Sequence, residues 1–66
     1  MQISLNGETR EIEAGIALST LIEQAGLAGR RVAIEVNGSI VPRSRHPELL
    51  LAEGDRIEIV HALGGG

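Results

Sequence analysis

Phenylalanine, tyrosine and tryptophan are all absent from this chain of 66 residues, and so are cysteine and lysine. The large rings that most often stack on a nucleobase or an open cofactor ring are therefore missing. Without cysteine there is no disulfide, no thiolate nucleophile and no Cys-based zinc site. The lack of cysteine fits a cytoplasmic protein. Without lysine there is neither Schiff-base chemistry nor a side-chain amine for conjugation. Six arginines face nine acids, for a net charge of −3, which argues against general binding to a phosphate backbone. No apolar run approaches the ~20 residues of a membrane span, and the start, Met1-Gln2-Ile3-Ser4-Leu5, lacks the regions of a signal peptide.

What remains is an aliphatic core and many turns. A chain of this length makes one domain and buries only roughly 60% of its unfolded surface, so packing has to be good. Met1, Ile3 and Leu5 alternate with Gln2 and Ser4, the period of a half-buried strand. Asn6-Gly7 follows as a hairpin turn, because both residue types tolerate positive φ. Residues 9–13 read as a second strand with Ile12 inward. Leu18, Leu21, Ile22 and Ala25 then fall on one helical stripe, which predicts a helix over residues 18–25 ended by Gly26. Thr20 and Glu23 have capping-box spacing, yet a start there leaves barely one turn.

Residues 27–31 read as a loop. Val32, Ile34 and Val36 predict a third strand, Asn37-Gly38 a second turn, and residues 40–42 a short extended piece that Pro42 confines to an edge. Residues 43–51 hold Pro47 and room for one helical turn. Glu53-Gly54-Asp55 turns the chain into a last strand over residues 56–60. One helix must then cover one face of a mixed sheet, an α+β arrangement. With a right-handed crossover, the β-grasp, or ubiquitin-like, order fits most simply, with the first and last strands adjacent at the centre.

Few side chains suggest chemistry. The acids are scattered over turns and outward strand positions, as solvated residues are. His46 reads as a surface or linker residue and His61 as a residue at the base of the tail; neither has metal-ligand spacing around it. No residue is expected to be catalytic, to bind a cofactor or to hold a metal. Arg30-Arg31 and Arg43-x-Arg45 are small basic spots that either touch a partner or are simply solvated.

The chain closes on Gly64-Gly65-Gly66, directly after the last strand and the bridge His61-Ala62-Leu63. Glycine contributes no side chain to a core and costs conformational entropy. Such a run suits a linker or a loose end. It equally suits a thin tail that slides into a narrow channel and presents a carboxylate with no Cβ in the way. The domain is therefore read as residues 1–63, with 64–66 as a flexible tail. Adenylation by ATP would turn the Gly66 carboxylate into an acyl donor that a sulfur nucleophile can capture.

Several stretches together carry a resemblance: Val36-Asn37-Gly38, Ile40-Val41-Pro42-Arg43, Leu51-x-x-Gly54-Asp55-x-Ile57-Glu58-Ile59-Val60, and the glycine end. In this combination and spacing the chain resembles the ThiS family of sulfur carrier proteins of thiamine biosynthesis over essentially its whole length. The resemblance implies that a ThiF-like adenylyltransferase uses MgATP to activate Gly66. A persulfide donor would then supply sulfur to form a thiocarboxylate, and a ThiG-like thiazole synthase would consume it. The chain is then a protein cosubstrate rather than an enzyme, monomeric when free. Leu63, Gly64 and Gly65 would occupy the partner's channel, and the sheet face opposite the helix would dock. Family members often carry Trp where this chain has His46, and Ser or Thr where it has Ala17; the latter implies a cap weaker by ~1 kcal/mol. Other readings are the small subunit of molybdopterin synthase, a carrier for tRNA thiolation or cysteine synthesis, and a ubiquitin-like interaction module whose tail does no chemistry.

Overall fold

The computed structural model of the chain describes residues 1–61. Strand β1 (Gln2–Leu5) turns through Asn6-Gly7 into β2 (Glu8–Glu11), and β3 (Val32–Val36) turns through Asn37-Gly38 into β4 (Ser39–Val41). Both turns place two consecutive residues at positive φ, 52° and 85° in the first and 53° and 88° in the second. That is the type I′ geometry whose twist matches the flanking strands, and Asn-Gly adopts it at the least steric cost. The second strand is shifted from its expected place. It covers Glu8–Glu11 rather than residues 9–13, because the two-residue turn pairs Leu5 with Glu8. Ile12 lies beyond its end and still packs against the core.

Strand β5 (Arg56–His61) completes a five-stranded sheet of order β2-β1-β5-β3-β4. It runs parallel to β1 and antiparallel to β3. The first and last strands are thus adjacent inside the sheet, as the crossover argument requires. Helix α1 (Leu18–Gln24) covers one face through Leu18, Leu21 and Ile22. These side chains join Ile3, Leu5, Ile34, Leu51, Ile57 and Ile59 in one aliphatic core, with Ile34 1% and Ile57 0% exposed. Helix α1 ends in a Schellman motif: Gly26 N–H donates to Glu23 O and Leu27 N–H to Ile22 O, each at 3.0 Å, around Gly26 at φ 76°.

The helix begins at Leu18, where its apolar stripe predicts, and not at the Thr20 capping-box spacing. The N-cap is Ala17, with no side-chain cap, and Thr20 lies inside the first turn. The orphan donors of that turn reach across the fold instead. Leu18 N–H donates to Leu49 O at 2.8 Å and Ser19 N–H to His46 O at 3.1 Å. The backbone carbonyls of His46 and Leu49 therefore do what a capping hydroxyl does elsewhere. Ala17 thus leaves no deficit of the kind that a missing Ser or Thr would suggest.

His46 also departs from its expected role. It is buried, at 9% exposure, where a surface or linker residue was expected. It follows a 3-10 turn (Arg43–Arg45), and its ring Nε2 lies 2.9 Å from Val41 O. That contact ties the connecting segment to β4 while the backbone of the same residue caps α1. A buried imidazole needs such a partner, and this one is set by the fold rather than by neighbours in sequence.

Candidate functional site

Strand β5 is the middle strand of the sheet and the last element of the described residues. Ile57 and Ile59 point into the core, and the strand bonds to β1 on one side and β3 on the other. β5 is longer than its parallel neighbour, so it would run past the end of β1 with donors unmatched. Asn6 corrects this. Its N–H donates to Ile57 O at 2.9 Å, and its side-chain Oδ1 accepts Ile59 N–H at 2.8 Å.

Asn37 does the same at the other end. It exchanges bonds with Arg56, N–H to O at 2.8 Å and Arg56 N–H to its Oδ1 at 2.9 Å. Its Nδ2 also donates to Asp55 Oδ1 at 3.0 Å. Each Asn-Gly turn therefore both reverses a hairpin and clamps the central strand. The sequence offered one signal for this second task, the repetition of Asn-Gly; the partner strand could not be read from it.

The face of the sheet away from α1 is open. The register places Ser4, Arg56, Glu58 and Val60 on it from the two central strands, with Ala33, Glu35 and Ile40 from β3 and β4. Ile40 and Val60 are 59% and 51% exposed, two separate apolar positions on a face that also carries Glu35, Arg56 and Glu58. This is the face expected to dock a partner.

Near the N-terminus, the Met1 ammonium donates to Ile12 O at 2.7 Å and lies 3.0 Å from the Glu11 carboxylate. The hydrogen bond and charge of that ammonium hold Glu11 below the usual carboxylate range.

The residues expected to act, Leu63, Gly64, Gly65 and Gly66, lie outside the described residues, as does the boundary between 63 and 64. Among the described residues no three His, Cys, Asp or Glu side chains converge as a metal site. Nor is any helix there long and apolar enough to cross a membrane.

A mixed five-stranded sheet, one covering helix and a central last strand leading to the chain end define a ubiquitin-like β-grasp domain. Comparison with known proteins agrees. The model of the ThiS family matches residues 3–66. The sulfur carrier protein ThiS of Escherichia coli is 30% identical, with all of both chains covered. Two proteins named thiazole synthase, from Magnetococcus marinus and Paramagnetospirillum magneticum, are 44% and 38% identical over 66 residues, and the chain spans 20% of the length of each. The crystal structure of the thiamine biosynthesis protein ThiS from Geobacter metallireducens has the same fold, with a TM-score of 0.88 at 23% identity and all of both chains covered. The chain belongs to the ThiS family.

Proposed function

We propose that this chain carries sulfur for thiamine biosynthesis on its C-terminal carboxylate and is itself a substrate of other enzymes. The family match, which runs through the terminal glycines to residue 66, carries the reading. The names of the relatives support both ends of the route, since one is a sulfur carrier protein and two are thiazole synthases.

In this scheme a carboxylate oxygen of Gly66 attacks the α-phosphorus of MgATP on an adenylyltransferase, and pyrophosphate leaves. The terminal sulfur of a persulfide attacks the acyl carbon and expels AMP, forming an acyl disulfide. A second thiol then cleaves the S–S bond, which releases the thiocarboxylate and leaves the donor as a disulfide. A thiazole synthase takes the sulfur. Gly64 and Gly65 serve by being narrow, and β5 serves as the rigid base from which the tail is presented. The chain contributes position and leaves bond-making to its partners.

Intact-protein mass spectrometry of the untagged chain from its native cell, before and after hydroxylamine, tests this. The expected species has one sulfur in place of one oxygen, localised to Gly66. An unmodified mass under sulfur demand would favour an interaction module whose tail does no chemistry.

A further inference from the structure

The two basic spots that lie apart in sequence are brought together by the fold, at the end of the sheet where β5 finishes. Val32 pairs with His61, so Arg31, one residue earlier, sits beside the end of β5. Val41, the last residue of β4, pairs with Ile34, so the turn holding Arg43 and Arg45 starts at the same end. The two spots are joined directly: Arg43 Nη2 donates to Arg30 O at 3.0 Å.

All four arginines are exposed. Glu48 offsets Arg45 at 3.4 Å, and Glu23 lines the same small cavity as Arg43. Four guanidinium groups against these two carboxylates leave an excess of positive charge. Among the described residues Arg30, Arg31 and Arg43 form no ion pair; the pairs there are Met1–Glu11, Arg45–Glu48 and Arg56–Glu58.

The opposite end of the sheet is acidic. Glu11 lies beside Met1, and the Glu53 carboxylate accepts Gln2 N–H at 3.1 and 3.2 Å. Asp55 accepts Ala52 N–H at 2.8 Å. Strand β5 separates these carboxylates from the arginines by roughly 17 Å at the usual rise per residue. A chain that is acidic in total therefore presents a cationic collar at one end, and net charge alone conceals it.

We infer that this collar of Arg30, Arg31, Arg43 and Arg45 docks on a carboxylate-rich rim around the entrance of the activating protein's tail channel. The inference rests on the carrier reading above. Gly66 lies five residues beyond His61 in sequence, and even fully extended five residues reach no more than about 18 Å. A protein that takes the Gly66 carboxylate into a nucleotide site must therefore bring its surface up to the collar. Guanidinium groups held there favour an acidic surface, speed encounter and orient the tail end first. A basic rim would be disfavoured by the same charges.

The test has two parts. In the first, the 15N-labelled chain is titrated with octaglutamate at low salt. Amides of residues 30–31 and 43–45 should shift, and those of Arg10 and Arg56 should not. Shifts spread equally over all six arginines, or none at all, overturn the inference.

In the second, ATP–pyrophosphate exchange by the adenylyltransferase of the same cell is measured against concentration of this chain. At about 0.01 M salt, where the Debye length is about 30 Å, Arg30→Glu/Arg31→Glu should raise KM about tenfold with kcat unchanged. At about 0.15 M salt, where that length is about 8 Å, the gap should narrow. Arg10→Glu should stay within about twofold of the parent under both conditions. A KM for the double variant within about twofold of the parent at low salt removes the collar and leaves the carrier reading intact. Absence of exchange with the parent chain itself removes the carrier reading, and this inference with it.

Discussion

Asn6 and Asn37 offer a controlled comparison of one interaction in two settings. Both begin an Asn-Gly turn, both have φ near 50°, and both accept a backbone N–H of β5 through Oδ1. They differ in cover, and Asn37 alone also donates through Nδ2, to Asp55 in an exposed bond. The Ile59 N–H···Asn6 bond is partly buried, whereas the Arg56 N–H···Asn37 bond is exposed. Substitution by glycine removes the side-chain acceptor while leaving positive φ free of strain. In Asn6→Gly the Ile59 N–H is orphaned where water has poor access, at a cost of about 1–3 kcal/mol. In Asn37→Gly water can replace the side chain at both exposed partners, Arg56 N–H and Asp55, so the loss should stay near about 0.5–1 kcal/mol. Both variants gain the same freedom in the unfolded state, so that contribution cancels in the difference.

The midpoints of these two ranges differ by about 1 kcal/mol, equivalent to about 4–8 °C in melting temperature for a domain of this size. Against a total stability of roughly 3–10 kcal/mol, that is easily measured. With no aromatic residue in the chain, unfolding in urea is best followed by far-ultraviolet circular dichroism. Equal losses in the two variants would falsify the argument and assign the role of both asparagines to the turn alone.

Other variants probe the remaining contacts. His46→Ala should cost about 2 kcal/mol, through an emptied site and an unpartnered Val41 carbonyl, and His46→Phe about half as much; equal melting temperatures for all three proteins would contradict the buried role. Ala17→Ser should stabilise by less than about 0.5 kcal/mol, against about 1 kcal/mol for an ordinary cap, because the first helical N–H groups already have carbonyl partners; a full gain in urea would refute this. The Glu11 carboxyl titrates lower in the fold than in the unfolded chain, so its contribution is present above the ordinary carboxylate range and is lost as pH falls through its lowered value. Melting curves of the parent and Glu11→Gln should therefore differ at neutral pH and converge in acid, and a constant gap would count against the pairing. One residue added after Gly66 should abolish pyrophosphate exchange, and Gly65→Ala should reduce thiocarboxylate yield, each without moving the melting temperature; normal yields would sink the narrow-channel argument.

Local chemistry was enough to identify most elements. Asn-Gly demands positive φ at two successive residues, so both hairpins were legible, and the apolar periods of 1–5, 18–25 and 32–36 marked which faces are buried. The adjacency of first and last strands followed from one helix, one sheet and the handedness of the crossover. Contacts between segments distant in sequence were not legible. The cap of α1 comes from carbonyls of His46 and Leu49, and a carbonyl is common to every residue, so no sequence pattern announces it. His46 is buried because its ring meets Val41 O, a partner that exists only once β4 and the following turn are in place. Likewise Asn6 grips β5 from more than fifty positions away. The arginine collar depends on the pairing of Val32 with His61 and of Ile34 with Val41. Charge can be counted along a chain, but its field depends on which charges the fold places side by side.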